Sequence, residues 1–150
     1  MAKKIRNINF KVKKNDGLCA GLWMQIIPSS IENNRNYLNS IVIGETAFSL
    51  IERFFFEGED KWAHWRDVYL DSKKVEVIIG RLEAYRMYLD TKTVINENDD
   101  IQFIFNESKL NFIENFESYK NDAIEMMDQI VNFLKNILEN KVDGMTVIGV

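Results

Sequence analysis

Apolar and polar positions alternate at the start of the chain, where Ile8, Phe10 and Val12 are separated by polar residues, the period of a half-buried strand. The triplet Asn15-Asp16-Gly17 supplies a turn, and LCAGLWMQII continues as an apolar strand, so the two runs predict an antiparallel hairpin that Pro28-Ser29-Ser30 ends. Residues 31–36 are polar and predict a loop. Ile41–Ile43 fits either a short strand or the approach to a helix. From Glu45 the period changes to that of a helix: Ala47, Leu50, Ile51, Phe54 and Phe55 share one face, opposite Glu45, Ser49 and Glu52, with Gly58 as a left-handed stop. Phe56 projects near Glu52 on the polar side. A second, shorter helix capped by Glu59 or Asp60 would place Trp62, Trp65 and Tyr69 on one stripe.

Asp71 or Ser72 then caps a third helix whose core face is Val75, Ile78, Ile79, Leu82, Tyr85 and Leu89. Its far side carries Val77, Gly80, Ala84 and Tyr88, apolar enough to call for a second covering layer or, failing that, a partner. NENDD at 96–100 predicts a turn and IQFIF at 101–105 a short strand. The run from about 108 to 139 keeps one apolar helical face from Phe112 to Leu138. A continuous helix there would span roughly 48 Å, long for one compact domain, so a break is expected near Ser118–Asp122, where Asp122 and Glu125 have capping-box spacing. A hairpin between 101–106 and 109–115 is the less favoured alternative. Val142-Asp143-Gly144 turns the chain into a closing strand, MTVIGV. Strand 101–106, helix and strand 145–149 make a βαβ unit with parallel strands. The expected fold class is α+β (or α/β), a mixed sheet with an N-terminal antiparallel hairpin and a C-terminal βαβ unit, covered by helices, in a single domain over 1–150.

Composition narrows this picture little. The chain has 150 residues, 46% hydrophobic and 28% charged, with one proline, which suits one globular domain rather than a disordered tract. Its sixteen asparagines are dispersed. No apolar run approaches the ~18 residues of a membrane helix, and the basic N-terminus lacks the apolar core of a secretory signal. A cytoplasmic location is expected. Cys19, the single cysteine, cannot form an internal disulfide and is expected to pack as a small buried hydrophobe.

Charge is more informative. Residues 1–14 carry six Lys or Arg and no acid; the whole chain is −4, which leaves −10 on residues 15–150. An acidic body argues against nucleic acid as the main partner. The basic strip either binds a small anion or, the preferred reading, uses Lys11, Lys13 and Lys14 to protect an exposed edge strand.

Candidate chemistry is sparse. One His and one Cys build none of the usual zinc sets, and no EF-hand loop, P-loop, GxGxxG or GxSxG is present. No cofactor or metal is expected. A Cys19–His64 pair would need the fold to join them, and apolar surroundings raise a thiol's pKa rather than activate it. On the helix over 60–69, His64 lies toward Asp60 and Asp67, the arrangement of a surface histidine between carboxylates more often than of a general base. Trp62, Trp65, Arg66 and Tyr69 are residue types enriched at binding hot spots, although a stripe at helical spacing more often packs inward. The docking edge expected from this stretch comprises Phe56, Glu59, Asp60, Trp62, His64, Trp65, Arg66 and Asp67. No residue is assigned a catalytic role.

In general character, and most of all over VEVIIGRLEAYRMYLD and VDGMTVIGV, the chain resembles the small immunity proteins of bacterial polymorphic-toxin systems, including contact-dependent growth inhibition. The resemblance implies a bacterial protein that binds and neutralises a cognate toxin domain, often a basic nuclease. It carries over no residue roles, because such proteins share no common motif. The alternatives are a small enzyme using carboxylates and His64, or a self-associating adaptor domain using the Val77/Ala84/Tyr88 side.

Overall fold

The computed structural model of the protein describes residues 7–19, 21–56 and 67–149. Its elements are β1 (Val12–Asn15), β2 (Trp23–Pro28), β3 (Ser40–Gly44), α1 (Glu45–Ser49), α2 (Glu52–Phe56), β4 (Asp67–Asp71), α3 (Ser72–Asp90), α4 (Asn106–Glu114), α5 (Phe116–Glu139) and β5 (Gly144–Ile148). The strands form one sheet in the order β1-β3-β2-β5-β4, and every neighbouring pair is antiparallel. The class is α+β, as the patterning implies.

Two details of the expected topology are corrected. No βαβ unit exists among these strands, because 101–105 is irregular chain with a bend rather than a strand: the places beside β5 are taken by β2 and β4. Ile104 N–H instead donates to Ser49 Oγ at 3.1 Å, while Phe103 packs against Phe112. Nor do β1 and β2 form a hairpin. β1 pairs with β3, Asn15 opposite Ser40, and the turn after it crosses the outer sheet face. Gln25, 1% exposed, holds that turn: its Oε1 accepts from Cys19 N–H at 3.0 Å, and its Nε2 donates to Gly17 O at 2.8 Å and to Ser40 Oγ at 2.7 Å. A buried amide that loses such partners is costly, so these bonds decide which strand β1 meets. Cys19 is consequently half-buried rather than sealed in a strand.

One sheet face carries Met24, Ile26, Ile41, Ile43, Leu70, Met145 and Val147 into the main core under α3 and α5. β1 and β4 are the sheet edges. Lys13 and Lys14 are exposed on β1, with Lys11 exposed just before it, and Asp67 and Asp71 on β4, so two of the three lysines stand on an edge strand and the third beside it, as their protective reading requires.

The helix begun at Glu45 is interrupted at Leu50 and Ile51, where Ile51 N–H reaches Phe48 O and Phe54 N–H reaches Ile51 O in tight turns. That break changes the phase of the following turn, so Phe56, expected on the polar side, is 5% exposed beside Phe55. The expected break in the C-terminal helical run is real but lies at Asn115, not Ser118–Asp122. Asn115 Nδ2 donates to both oxygens of Asn111, backbone O at 3.0 Å and Oδ1 at 2.8 Å, alongside the backbone bond from Asn115 N–H to Asn111 O. α3 follows its pattern closely: Val75, Ile78, Ile79, Leu82, Tyr85 and Leu89 are its buried residues, and Asp71 Oδ1 accepts from Lys74 N–H at 3.0 Å as the N-cap. Asp71→Ala is expected to cost about 1 kcal/mol, read in urea unfolding as a lower midpoint with unchanged slope; an unmoved midpoint would show that the cap contributes nothing.

Candidate functional site

Of the expected docking edge, Glu59, Asp60, Trp62, His64, Trp65 and Arg66 lie outside the described residues, as does Gly58. Phe56 is buried among core residues and offers no docking surface. Asp67 is exposed, but on strand β4 opposite Ile148 rather than on a helix, and partial burial raises its carboxyl pKa. Tyr69, two residues on, is likewise in the strand and 43% exposed. The spacing of Trp62, Trp65 and Tyr69 hid a second, shorter period. Val68 and Leu70 turn inward while Asp67, Tyr69 and Asp71 turn out, which is strand alternation.

Tyr69 belongs to a polar cluster where β2, β4, β5 and α3 meet. Its hydroxyl donates to Asp143 Oδ2 at 2.7 Å, and Ser29 Oγ donates to Asp143 Oδ1 at 2.7 Å. Ser29 has φ 71°, a left-handed conformation held by its N–H to Gly144 O and by Thr146 Oγ1 donating to its carbonyl. The hydroxyls of Tyr69 and Ser29 hold the Asp143 carboxyl below its ordinary pKa, while burial, the hydrogen bond and the charge of Asp143 push Tyr69 up to about 12. An open groove of about 520 Å³ adjoins the cluster, lined by Ser72, Lys73, Glu76, Lys141 and Asp143 among others.

Chemically this corner is closed. Asp143 is occupied by two hydroxyl donors and its pKa is low, so it is a poor base for activating Ser29. The start of α3 is not an anion cradle either, since Ser72 N–H is bonded to Asp143 O and Lys74 N–H to Asp71. Tyr69→Phe should lower stability at pH 7 by about 1 kcal/mol or less, discounted for exposure. The depressed Asp143 pKa contributes stability above the unfolded carboxyl value, lost as pH falls through the folded one. The gap between wild type and variant should therefore narrow below about pH 4. A gap independent of pH would show that the Asp143 charge is not involved.

A second cluster forms around Arg53. Its guanidinium carbon lies 4.6 Å from the Phe54 ring centre and 5.4 Å from that of Tyr85, and Nη1 is 2.7 Å from Asp100 Oδ1. Tyr85 hydroxyl donates to Asp100 O, Asp100 N–H donates to Tyr88 hydroxyl, and Lys92 pairs with Asp99 at 3.2 Å. Burial raises the Tyr85 pKa; hydrogen bonds from Asn96 N–H and Lys92 lower that of Asp99. The Arg53, Tyr85 and Tyr88 contacts with Asp99 and Asp100 fasten the 91–100 turn to α2 and α3. Sequence periodicity misses such a set because its members sit on three separate segments.

Two surfaces remain. The solvent side of α5 carries exposed Glu117, Asp122, Glu125, Asp128 and Glu139 with Lys135 as its basic member. Asp128 is paired with Arg86 and Lys135 with Glu83, both on α3. The far side of α3 has no covering layer among the described residues, contrary to the favoured expectation: Val77 is 51% and Met87 65% exposed, and Gly80 and Ala84 face solvent. Among the described residues no three His, Cys, Asp or Glu side chains are grouped to hold a metal, and no helix is long and apolar enough to cross a membrane. Compared with protein-family models, curated proteins and solved structures, the chain matches none of them.

Proposed function

We propose that the chain is a protein-binding inhibitor of the immunity-protein kind, acting in the bacterial cytoplasm by binding and neutralising a cognate toxin domain. The observation that carries this reading is the acidic solvent side of α5, part of the −10 carried by residues 15–150. A rigid helix presenting acids in excess suits a basic partner such as a nuclease, because complementary charge steers encounter and fixes orientation. The two polar clusters agree with a binding role, since their hydrogen bonds and ion pairs tie segments of the fold to one another. The docking residues now expected are those of α5 rather than Phe56, and Asp67 turns out from β4 on the sheet face away from that helix.

The test is to mix the protein with the toxin domain encoded next to it and measure complex formation and protection from toxin activity. Binding whose on-rate falls steeply with salt, and falls again on Glu117→Lys/Glu125→Lys, is the expected result. No complex and no protection would end the proposal.

A further inference from the structure

We propose that the protein docks on an anionic phospholipid bilayer through the turn after β1, whose leucines enter the surface while neighbouring lysines hold the headgroups. The inference is independent of the inhibitory reading. Every residue from Gly17 to Met24 is apolar or glycine, an unusual composition for a surface turn. Yet Leu18 is 60% and Leu22 67% exposed, and Leu38 on the neighbouring 37–39 segment is half-exposed. The two segments are tied together, Gly17 N–H donating to Tyr37 O at 3.4 Å and Asn39 N–H to Asp16 Oδ1 at 2.8 Å. Gln25 and the left-handed Gly17 and Gly21 fix the path of the turn, so the fold itself presents these side chains to solvent. An exposed apolar patch rimmed by polar groups marks an interaction site.

Charge names the occupant. Lys13 and Gln25 both stand opposite Val42, so Lys13 shares the outer sheet face with Gln25 and Trp23, and its Nζ lies 5.1 Å from the Trp23 ring centre. A Cβ on Gly21 would lie 3.5 Å from Trp23 Cδ1, which puts the apolar turn beside the same ring. Lys11 and Lys14 are exposed on either side of Lys13, and none of the three is ion-paired to a described carboxylate. Lys3, Lys4 and Arg6 precede them in sequence, and no acid comes before Asp16. Edge protection accounts for the lysines but not for the leucines beside them. A nucleic-acid backbone would likewise use the lysines and leave the leucines in water. An anionic bilayer takes both: its headgroups attract the bases and its acyl boundary receives the aliphatic side chains, the two signals that stable anchoring needs. The acidic side of α5 does not oppose this contact, because α5 covers the other face of the sheet.

The experiment is co-sedimentation of the full chain with vesicles of phosphatidylcholine alone or with about one third phosphatidylglycerol, circular dichroism confirming that each variant is folded. Wild type should pellet with the anionic vesicles and not with the neutral ones, and raising salt from about 0.1 M to about 0.5 M should release most of it. Lys11→Glu/Lys14→Glu should bind at least about tenfold more weakly. Leu18→Ser/Leu22→Ser, which leaves every charge in place, should also lose about tenfold or more. A wild type that ignores anionic vesicles overturns the proposal, and so does one that binds neutral vesicles equally well. A serine variant that binds as wild type overturns it too, because the leucines would then have no part in the contact. Duplex DNA of about 20 base pairs is the competing polyanion. Tighter binding to it than to the vesicles, lost with the lysines and indifferent to the leucines, would give this surface to nucleic acid and overturn the bilayer.

Discussion

Replacing Gly144 by alanine is expected to be the most damaging single-methyl addition in the protein. A Cβ at this position would lie 2.2 Å from Leu70 O, 2.9 Å from Asp71 Cα and 2.9 Å from the Tyr69 hydroxyl oxygen. The first two are backbone atoms of β4, pinned because Leu70 pairs with Met145 and Asp71 with Gly144 itself. A flexible side chain could swing away; a paired strand cannot without breaking its ladder. The expected loss is roughly 3 kcal/mol or more, at the upper end for overpacking, and visible as a large drop in the urea midpoint. Gly80→Ala is the internal control, because its Cβ enters open space within a helix; it should stabilise by up to about 1 kcal/mol. A Gly144→Ala variant as stable as wild type would mean that β4 and β5 do not approach as closely as described.

Phe112→Ala should cost about 3–5 kcal/mol, the range for removing a fully enclosed aromatic ring. Phe112 is 0% exposed and touches four other rings, with centroid distances of 5.9 Å to Phe10, 5.3 Å to Phe103, 5.5 Å to Phe116 and 6.1 Å to Tyr119. Those rings come from the segment before β1, the 101–105 chain and α5, so one side chain joins three parts that no shared strand pairing connects. Phe112→Leu, which fills most of the space, should cost clearly less than the alanine variant. Equal losses for the two would show that ring packing is not what holds this corner. The Tyr119 hydroxyl, which accepts from both Ile8 N–H and Asn111 Nδ2, should lose its partners' protection in hydrogen exchange when Phe112 is truncated.

The contrast between α3 and β4 shows what the residue pattern carries. α3 is legible because nineteen residues keep one period, begin at a capping aspartate and bury one stripe. β4 is five residues long, and its inward pair Val68 and Leu70 is outweighed by the helical spacing of the tryptophans before it and Tyr69. Ile101–Phe105 has strand composition without a strand's neighbour, which only the sheet order reveals. The pairing of β1 with β3 rests on Gln25, Ser40 and Asn15, three polar residues whose contacts no hydrophobic period encodes. Phe56 departs from its expected side because a break at Leu50–Ile51 shifts the phase of everything after it. The expected docking edge therefore keeps only Asp67 as an exposed member among the described residues. The acidic side of α5 was implicit in the net charge, but only the placement of the helix turns that charge into a surface.

The position of β5 has a consequence for how the chain is made. β5 sits between β2 and β4, although more than a hundred residues separate it from β2 in sequence. During synthesis, at about 5–20 residues per second, β2, β3 and β1 can pair early, but β4 has no place in the sheet until Gly144–Ile148 has left the ribosome. For several seconds β2 must present an open edge, carrying Ile26 and Ile27, with none of the charged protection that β1 and β4 possess. Overproduction at high temperature should therefore lose material to aggregates formed by nascent chains, and slower translation or an early-acting chaperone should recover it.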